Sequence, residues 1–420
     1  GPLMSGTTKA QTKIDREWPK EGLGRIPFWV YSDPAVYKRE MDVIFGGSSY
    51  NYIGLECEIP NPGDYRRSFI GDKPVIFVRD KSGKVNVVVN RCAHRGVKLC
   101  YEEHGNTSEF ICPYHQWTYD LDGKLIGVPF RRGLNKQGGM PADFKLEDNG
   151  LQPLKVVTRN GVIFASFDLG MPSFEEYLGE NMLNYFDRVF DGRKLQVLGY
   201  SRQRIRSNWK VKFENLKDPY HATLLHVFLV SFGLFRADTP SKTEMDATGM
   251  HAIQVAQRGA QKQTEDNSEM RAMDVALKLE NPEMLQPYPE WASKGPATVV
   301  MQTIWPNLII QQQSNTVAMR QIRAFSPEEY ELHWTFFGYE DDDAAMTERR
   351  LRQANLMGPA GFVSVDDSEV MESAQSGVSR YPDESAITEM GGVGTEDTPH
   401  MITEAAIRAF YKHYREVMGL

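Results

Sequence analysis

The sequence predicts an α+β chain: an all-β unit over residues 47–168, a larger mixed unit over 169–420, and a leading segment, 1–46, that packs on the latter. Three observations carry this. Between Tyr50 and Phe167, short β-branched runs flank turn-forming residues, the pattern of antiparallel hairpins. After Gly170 the composition changes, and Ser173 with Glu176 makes a capping box that opens helical sequence. From Leu195 to Tyr339 strand-like runs return, and amphipathic helices follow them.

The 420 residues suffice for two domains. With 41% hydrophobic and 25% charged residues, the composition is globular. A net charge of -8 argues against a general nucleic-acid binder. No apolar run approaches the ~20 residues that cross a bilayer, and the N-terminus is polar rather than signal-like. Four Cys fit a reducing cytoplasm. The expectation is a cytoplasmic protein with no membrane or nucleic-acid partner.

Residues 5–25 are polar and read as loosely held. Pro34–Phe45 reads as a short helix capped by Ser32 or Asp33, with Pro34 in its first turn. Val75–Val78 and Val85–Val89 flank Asp80-Lys81-Ser82-Gly83, and Trp117–Leu121 and Leu125–Val128 flank Asp122-Gly123. Both read as hairpins. Val162–Phe167 closes the β unit. Strands follow at Leu195–Ile205, Ala297–Trp305, Leu308–Gln313, Thr316–Arg323 and Tyr330–Tyr339. Trp209–Leu229 is helical in its centre, and the charged stretch 255–295 reads as a mobile surface insertion. Asp341–Ala354 starts acidic and ends with Arg349, Arg350 and Arg352, a helix matched to its own dipole. Thr398 and Pro399 open a last helix with Ile407, Phe410, Tyr411, Tyr414 and Val417 on one face.

The chemistry-bearing stretch is Cys92-Ala93-His94, seventeen residues, then Cys112-Pro113-Tyr114-His115. Two thiolates and two imidazoles in Cys-His pairs are the ligand set of a Rieske [2Fe–2S] centre. Gly96 would let the backbone approach such a cluster closely. Zinc also takes Cys and His, but zinc fingers pair Cys with Cys and His with His. Cys57 and Cys100 are left over and read as buried and inert.

Further on, Glu214-Asn215-Leu216-Lys217-Asp218-Pro219-Tyr220-His221 leads to His226. Two imidazoles and one carboxylate, with open positions, form the facial triad of non-haem Fe(II) oxygenases. His221 and His226 are five apart and would diverge on a regular α-helix, so a wider π-type turn is expected there. Asp218 either orients an imidazole or caps the turn. A cluster that only carries electrons needs an acceptor, which favours a metal at the two His.

These two motifs, in this order, resemble the catalytic α subunit of the Rieske non-haem iron ring-hydroxylating oxygenases, over nearly the whole chain from about Ile26. Within the family the chain is similar to the salicylate 5-hydroxylase, anthranilate dioxygenase and terephthalate dioxygenase group. The likeness rests on Cys92-Ala93-His94-Arg95-Gly96, Gly138-Gly139-Met140-Pro141, Glu214 to His221, and Gly358-Pro359-Ala360-Gly361-Phe362. It implies a catalytic unit with a curved antiparallel sheet covered by helices, of helix-grip type. It implies a third iron ligand after the Gly-Pro-x-Gly segment, which matches Asp367, with Asp366 the alternative. It gives Asp218 a catalytic role, linking His115 of one subunit to His221 of the next. The implied assembly is a head-to-tail α3 trimer, or α3β3 with a small β subunit. The implied partners are O2, an aromatic substrate, and a ferredoxin or NADH-dependent reductase.

An aromatic carboxylate needs a counter-charge, and Arg suits it through bidentate geometry. Arg320, interrupting a partly apolar strand, is the candidate, and Arg323 the runner-up; both could instead face outward. Val227–Phe232, Met250, His251 and Ile253 are candidates to line the pocket. The competing functions are a Rieske electron carrier without oxygenase activity, a dioxygenase for a non-carboxylated aromatic, and a zinc-stabilised binding protein. A bare carrier would need none of the ~250 residues after the β unit.

Overall fold

In the computed structural model, residues 12–218, 241–256, 291, 294, 297, 299–357, 362–400 and 402–420 are described, the side chains of 356, 357 and 362–367 excepted. The leading segment is held firmly from residue 12, against expectation. Trp18 decides this: it is buried, with its ring 6.0 Å from Trp29 and 6.1 Å from Tyr411. Arg16 reaches Asp33 at 3.4 Å and Asp383 at 2.9 Å. β1 (Arg25–Pro27) then pairs antiparallel with residues Ser385–Ile387. Helix α1 (Pro34–Glu40) starts where expected, with the Asp33 carboxylate accepting from the Ala35 N–H at 2.8 Å.

The β unit comprises β2 (Asn51–Leu55), β3 (Asp64–Ile70), β4 (Lys73–Arg79), β5 (Val85–Val89), β6 (His104–Asn106), β7 (Phe110–Ile111), β8 (Thr118–Tyr119), β9 (Leu125–Gly127), β10 (Lys155–Arg159) and β11 (Val162–Ser166). They form sheets ordered β5-β4-β3-β6, β7-β8-β9 and β10-β11-β2. Both expected hairpins are present. In the first, the Asp80 carboxylate accepts from the Ser82 and Lys84 N–H groups, each at 2.9 Å. Asp120 holds the second turn through Asp122 and Lys124.

The second unit opens with α2 (Phe174–Leu178), where Ser173 caps the Glu176 N–H at 3.2 Å, and α3 (Glu180–Val189). β12 (Leu195–Ile205), α4 (Trp209–Leu216), β13 (Ser241–Met245), β14 (Ala252–Ala256), β15 (Val299–Ile304), β16 (Leu308–Gln313), β17 (Thr316–Ser326) and β18 (Glu329–Tyr339) follow. The seven strands make one antiparallel sheet ordered β12-β18-β17-β16-β15-β14-β13. After it come α5 (Ala344–Met357), α6 (Phe362–Val378), β19 (Ser385–Ile387) and α7 (Ala405–Met418). Two boundaries differ from expectation. Val255 and Ala256, assigned to the insertion, belong to β14 and pair with β13 and β15; residues 257–290 lie outside the described residues. The last helix begins at Ala405, where the Thr403 hydroxyl accepts from the Ala405 N–H at 3.0 Å. The segment 362–378 is helical from end to end.

Residues directly opposite in a sheet share a face. The row Ala252–Thr303–Ile309–Arg320–Trp334–Ser201 therefore projects one way. That way lie α4 and α6: Lys217, at the end of α4, donates to the Thr303 hydroxyl at 2.6 Å, and in the neighbouring row Gln203 donates to Ser368 of α6 at 2.6 Å. The opposite face, with Val317, Met319 and Phe337, packs on Phe164, Phe174 and Phe186.

Helix α4 is fixed by an interior ion pair. Lys210 Nζ lies 2.6 Å from Glu40 Oε2, and both side chains are fully buried. Trp209 and Tyr414 complete the carboxylate's shell at 3.0 and 2.5 Å. Removing one partner leaves an unpaired interior charge, a loss of about 3–5 kcal/mol. Lys210→Met should therefore lower the denaturation midpoint sharply, and adding Glu40→Gln should recover most of it; a midpoint unmoved by Lys210→Met would exclude this role.

Candidate cluster and iron sites

The two Cys-His loops share one backbone plan. The Cys92 N–H donates to Val97 O at 2.8 Å and the Gly96 N–H to Cys92 O at 2.9 Å; the Cys112 N–H donates to Trp117 O at 2.8 Å and the Gln116 N–H to Cys112 O at 2.9 Å. The fourth residue after each Cys is left-handed, Gly96 at φ 76° and Gln116 at φ 60°. Gly96 is thus favoured by its backbone angle, which Gln116 also adopts, and not by crowding: a Cβ there would meet nothing nearer than Arg91 Cγ at 3.9 Å.

The loops bring together all four residues that the sequence singled out. Cys92 and Cys112 are buried, and Cys92 lies close enough to help keep the Cys112 thiol protonated. The His94 and His115 rings stand 4.7 Å apart, edge to face. His94 stacks on Trp117 at 4.5 Å, and its buried Nδ1 has no partner among the described residues. The Tyr119 hydroxyl sits 3.1 Å from Cys92 Sγ and accepts from the Ala93 N–H at 3.0 Å. Backbone N–H groups of Tyr114 and His115 point at the Cys112 sulfur. Burial pushes the Cys112 thiol up, and these N–H groups pull it down. Donors aimed at two sulfurs, with a free imidazole nitrogen beside them, suit thiolates bound to iron. Among the described residues no three His, Cys, Asp or Glu side chains converge as on one metal ion. A tetrahedral zinc would need four to do so; a two-iron cluster needs two facing pairs. Trp117 and Tyr119 escaped the sequence reading, though both lie within four residues of His115.

Beside the two histidines part of the protein surface is apolar. A groove of about 520 Å³ runs past His94, His115, Trp117, Phe130 and Met140. Tyr114 and Phe130, which line it, stand exposed, as does His115.

The second metal motif begins on α4. Asn208 caps it through Lys210, and the helix ends at Leu216, with Asp218 just beyond. His221, His226 and Val227–Phe232, with the π-type turn expected there, lie outside the described residues. Asp366 and Asp367 fall near the start of α6, and their side chains lie outside those described. Arg320 is buried on the face turned to α4 and α6. Its Nε donates to Gln311 Oε1 at 2.9 Å and its guanidinium lies 4.0 Å over the Trp334 ring. Arg323, three residues on, faces the other way and leaves the pocket candidates. So does Ile253, packed in the core of the opposite face. Both His251 nitrogens serve backbone groups: Nδ1 accepts from the Trp305 N–H and Nε2 bonds Tyr177 O, each at 3.0 Å. His251 is therefore a structural residue. Of the spare thiols, Cys100 is buried and Cys57 only half-buried, and burial pushes each to about 12.

The family described as Rieske [2Fe-2S] domain matches residues 49–137, and that described as ring hydroxylating alpha subunit (catalytic domain) matches residues 191–420. The chain belongs to the ring-hydroxylating oxygenase alpha subunits. It is 51% identical to the large oxygenase component of salicylate 5-hydroxylase from Ralstonia sp, over 96% of this chain and 97% of that protein. It is 40% identical to the large subunit of anthranilate 1,2-dioxygenase from Burkholderia cepacia, over 96% of each. Naphthalene 1,2-dioxygenase from Rhodococcus sp., solved with indole, superposes with a TM-score of 0.78 at 26% identity, over 95% of this chain and 96% of that one. The alpha subunit thus carries both a Rieske [2Fe–2S] domain and a catalytic domain of the kind that binds mononuclear iron. Among the described residues no helix is long and apolar enough to cross a membrane.

One interior acid beside Asp218 was not foreseen. Glu214 accepts from the Tyr31 hydroxyl at 2.7 Å and the Tyr411 hydroxyl at 3.1 Å. Burial raises its pKa to about 7, against the pull of the two tyrosines and Lys210 and with a push from Asp218. The folded chain therefore holds this proton between about pH 4.5 and 7 while the unfolded chain releases it. Stability gained at acid pH is lost as pH rises through that window, by at most about 3 kcal/mol, less where water screens the carboxyl's exposed edge. Glu214→Gln should flatten the stability profile between pH 4.5 and 7; an unchanged slope would assign it to other groups.

Proposed function

We propose that this chain is the oxygenase component that hydroxylates the ring of an aromatic carboxylate, of the salicylate, anthranilate, benzoate or terephthalate kind, with O2 and electrons relayed from NADH through a reductase or ferredoxin. In this reading Cys92, His94, Cys112 and His115 hold the cluster. His221, His226 and Asp367 hold the iron, with Asp366 the alternative to Asp367. When bound, these centres supply single electrons and a site for O2. The protein's own groups position the ring, exclude water and stabilise charge.

Two features support the arrangement between subunits. His115 is exposed within an apolar rim, so it is accessible to another chain. Asp218 lies at the open end of α4, from which it would link that histidine of the neighbouring subunit to His221. A closed ring of three such contacts gives α3, to which a small β subunit would add α3β3.

The observation that carries the carboxylate assignment is Arg320. It is buried, it is braced by Trp334 and Gln311, and it projects from the sheet face that meets the Lys217–Asp218 end of α4. A guanidinium so placed offers a fork to a carboxylate on an otherwise apolar ring. Arg320→Ala should raise KM for the carboxylate about 10- to 100-fold, the size of a lost charge-assisted contact, and leave iron content intact. Unchanged kinetics would remove Arg320 from the site.

The reaction itself is tested by supplying isotopically labelled O2 and NADH-driven reduction to salicylate, anthranilate, terephthalate and benzoate in turn. The expected result is labelled hydroxylated product from at least one of them. Labelled product from naphthalene or biphenyl, and none from any carboxylate, would overturn the substrate class.

A further inference from the structure

The sheet face opposite Arg320 has a charged feature that ring hydroxylation does not use. A cavity of about 350 Å³ lies where β3 meets β12, β17 and β18. Its walls carry Arg66, Arg67, Lys98, Arg202 and Arg323 against two carboxylates, Glu58 and Glu103, an excess of three positive charges (five less two). Both acids are already engaged, Glu58 with Arg66 at 3.2 Å and Glu103 with Arg202. Among the described residues, neither Arg67 nor Arg323 has an acidic side chain within ion-pair distance.

Arg323 is half-buried and aimed. Its guanidinium lies 5.0 Å over Phe69 and 4.9 Å over Phe325. Burial, and then the nearby Arg202, Arg67 and Arg204, hold its pKa below the usual value, against the pull of Glu331. His333, 4.5 Å from the Phe69 ring and close to Glu331, titrates at about 4, chiefly through burial, so it contributes no charge near neutrality. Like charges gathered in a cleft with low-dielectric walls focus a positive field, and their mutual repulsion is relieved by an anion between them.

We propose that this cleft is a second anion site, separate from the face bearing Arg320, that takes a small molecule with a carboxylate or phosphate group. Arg67 and Arg323 supply planar donor forks suited to either group. The volume is in the range of small-ligand sites. The ligand would join the two halves of the chain. Asn90, on the cavity wall, accepts from the Leu99 and Cys100 N–H groups at 2.8 and 3.2 Å and so fixes the loop that carries Cys92 and His94.

The test is thermal unfolding of the holoenzyme in inorganic phosphate or benzoate, with NaCl keeping ionic strength constant. Wild type and Arg320→Ala should both show a saturable rise in Tm. In the Arg67→Gln/Arg323→Gln double variant the response should weaken at least tenfold, while its Tm without anion is no lower than that of wild type. The anion that saturates at the lower concentration identifies carboxylate or phosphate as the group recognised. Should the double variant not fold, the two single variants carry the same comparison. Equal responses with and without the two Arg, or no saturable response to either anion, would overturn the proposal.

Discussion

The contact on which the rest depends is the Glu40–Lys210 pair, at 2.6 Å and wholly out of water. Its value lies less in net stability than in geometry. Two interior charges recover their desolvation cost only when they meet, so every arrangement that separates them is penalised. Glu40 ends α1, Lys210 opens α4, and Tyr414 of α7 donates to the same carboxylate. Asn208 adds a second set of ties, donating to Tyr31 O at 3.3 Å and Pro327 O at 2.7 Å while its N–H donates to Gln375 of α6 at 2.9 Å. The start of α4 is thereby fixed against four parts of the chain. Lys217 and Asp218, one helix length further on, are in turn delivered to a set place over the sheet.

The Cys-His loops reach precision by a different route. They have no buried ion pair; each is a six-residue turn closed by two backbone hydrogen bonds and one left-handed residue. The backbone plan is the same in both, yet His94 stands two residues after its Cys and His115 three. This offset turns the rings edge to face, and Trp117 then supports His94 from behind. The sulfurs are served from different sources, a phenol on Cys92 and backbone N–H groups on Cys112.

Much of this was legible in the sequence, where local chemistry dictates local form. Asp80 and Asp120 made their turns because a carboxylate two residues before an N–H competes well for it. The Cys-His pairs were legible because few other arrangements put those four groups together. Trp18 was lost in a polar stretch, since one aromatic ring anchors a segment whose average composition says otherwise. β13, reading Ser-Lys-Thr-Glu-Met, has no hydrophobic alternation to show; it is a strand because β14 offers it an edge. That Arg320 and Arg323 face opposite ways was legible, because they lie three residues apart on one strand. Only the sheet's two-sided burial, which no short window of sequence displays, tells what each face meets.

That parity also bears on the proposed carboxylate site. Among the described residues Arg320 and Lys217 stand on that face, the second bonded to Thr303 in Arg320's own row. Burial draws the Lys217 ammonium down to about 7, against the pull of Asp246, and its nearest surroundings include the Phe213 and Phe410 rings. An amine in that position is losing its charge across the neutral range. A guanidinium does not, because its charge is spread over three nitrogens and its proton is held too tightly to be shed on burial. In the proposed reading Arg320 is the cation that offers a carboxylate a permanent opposite charge, and Gln311 and the Trp334 ring help hold it in place.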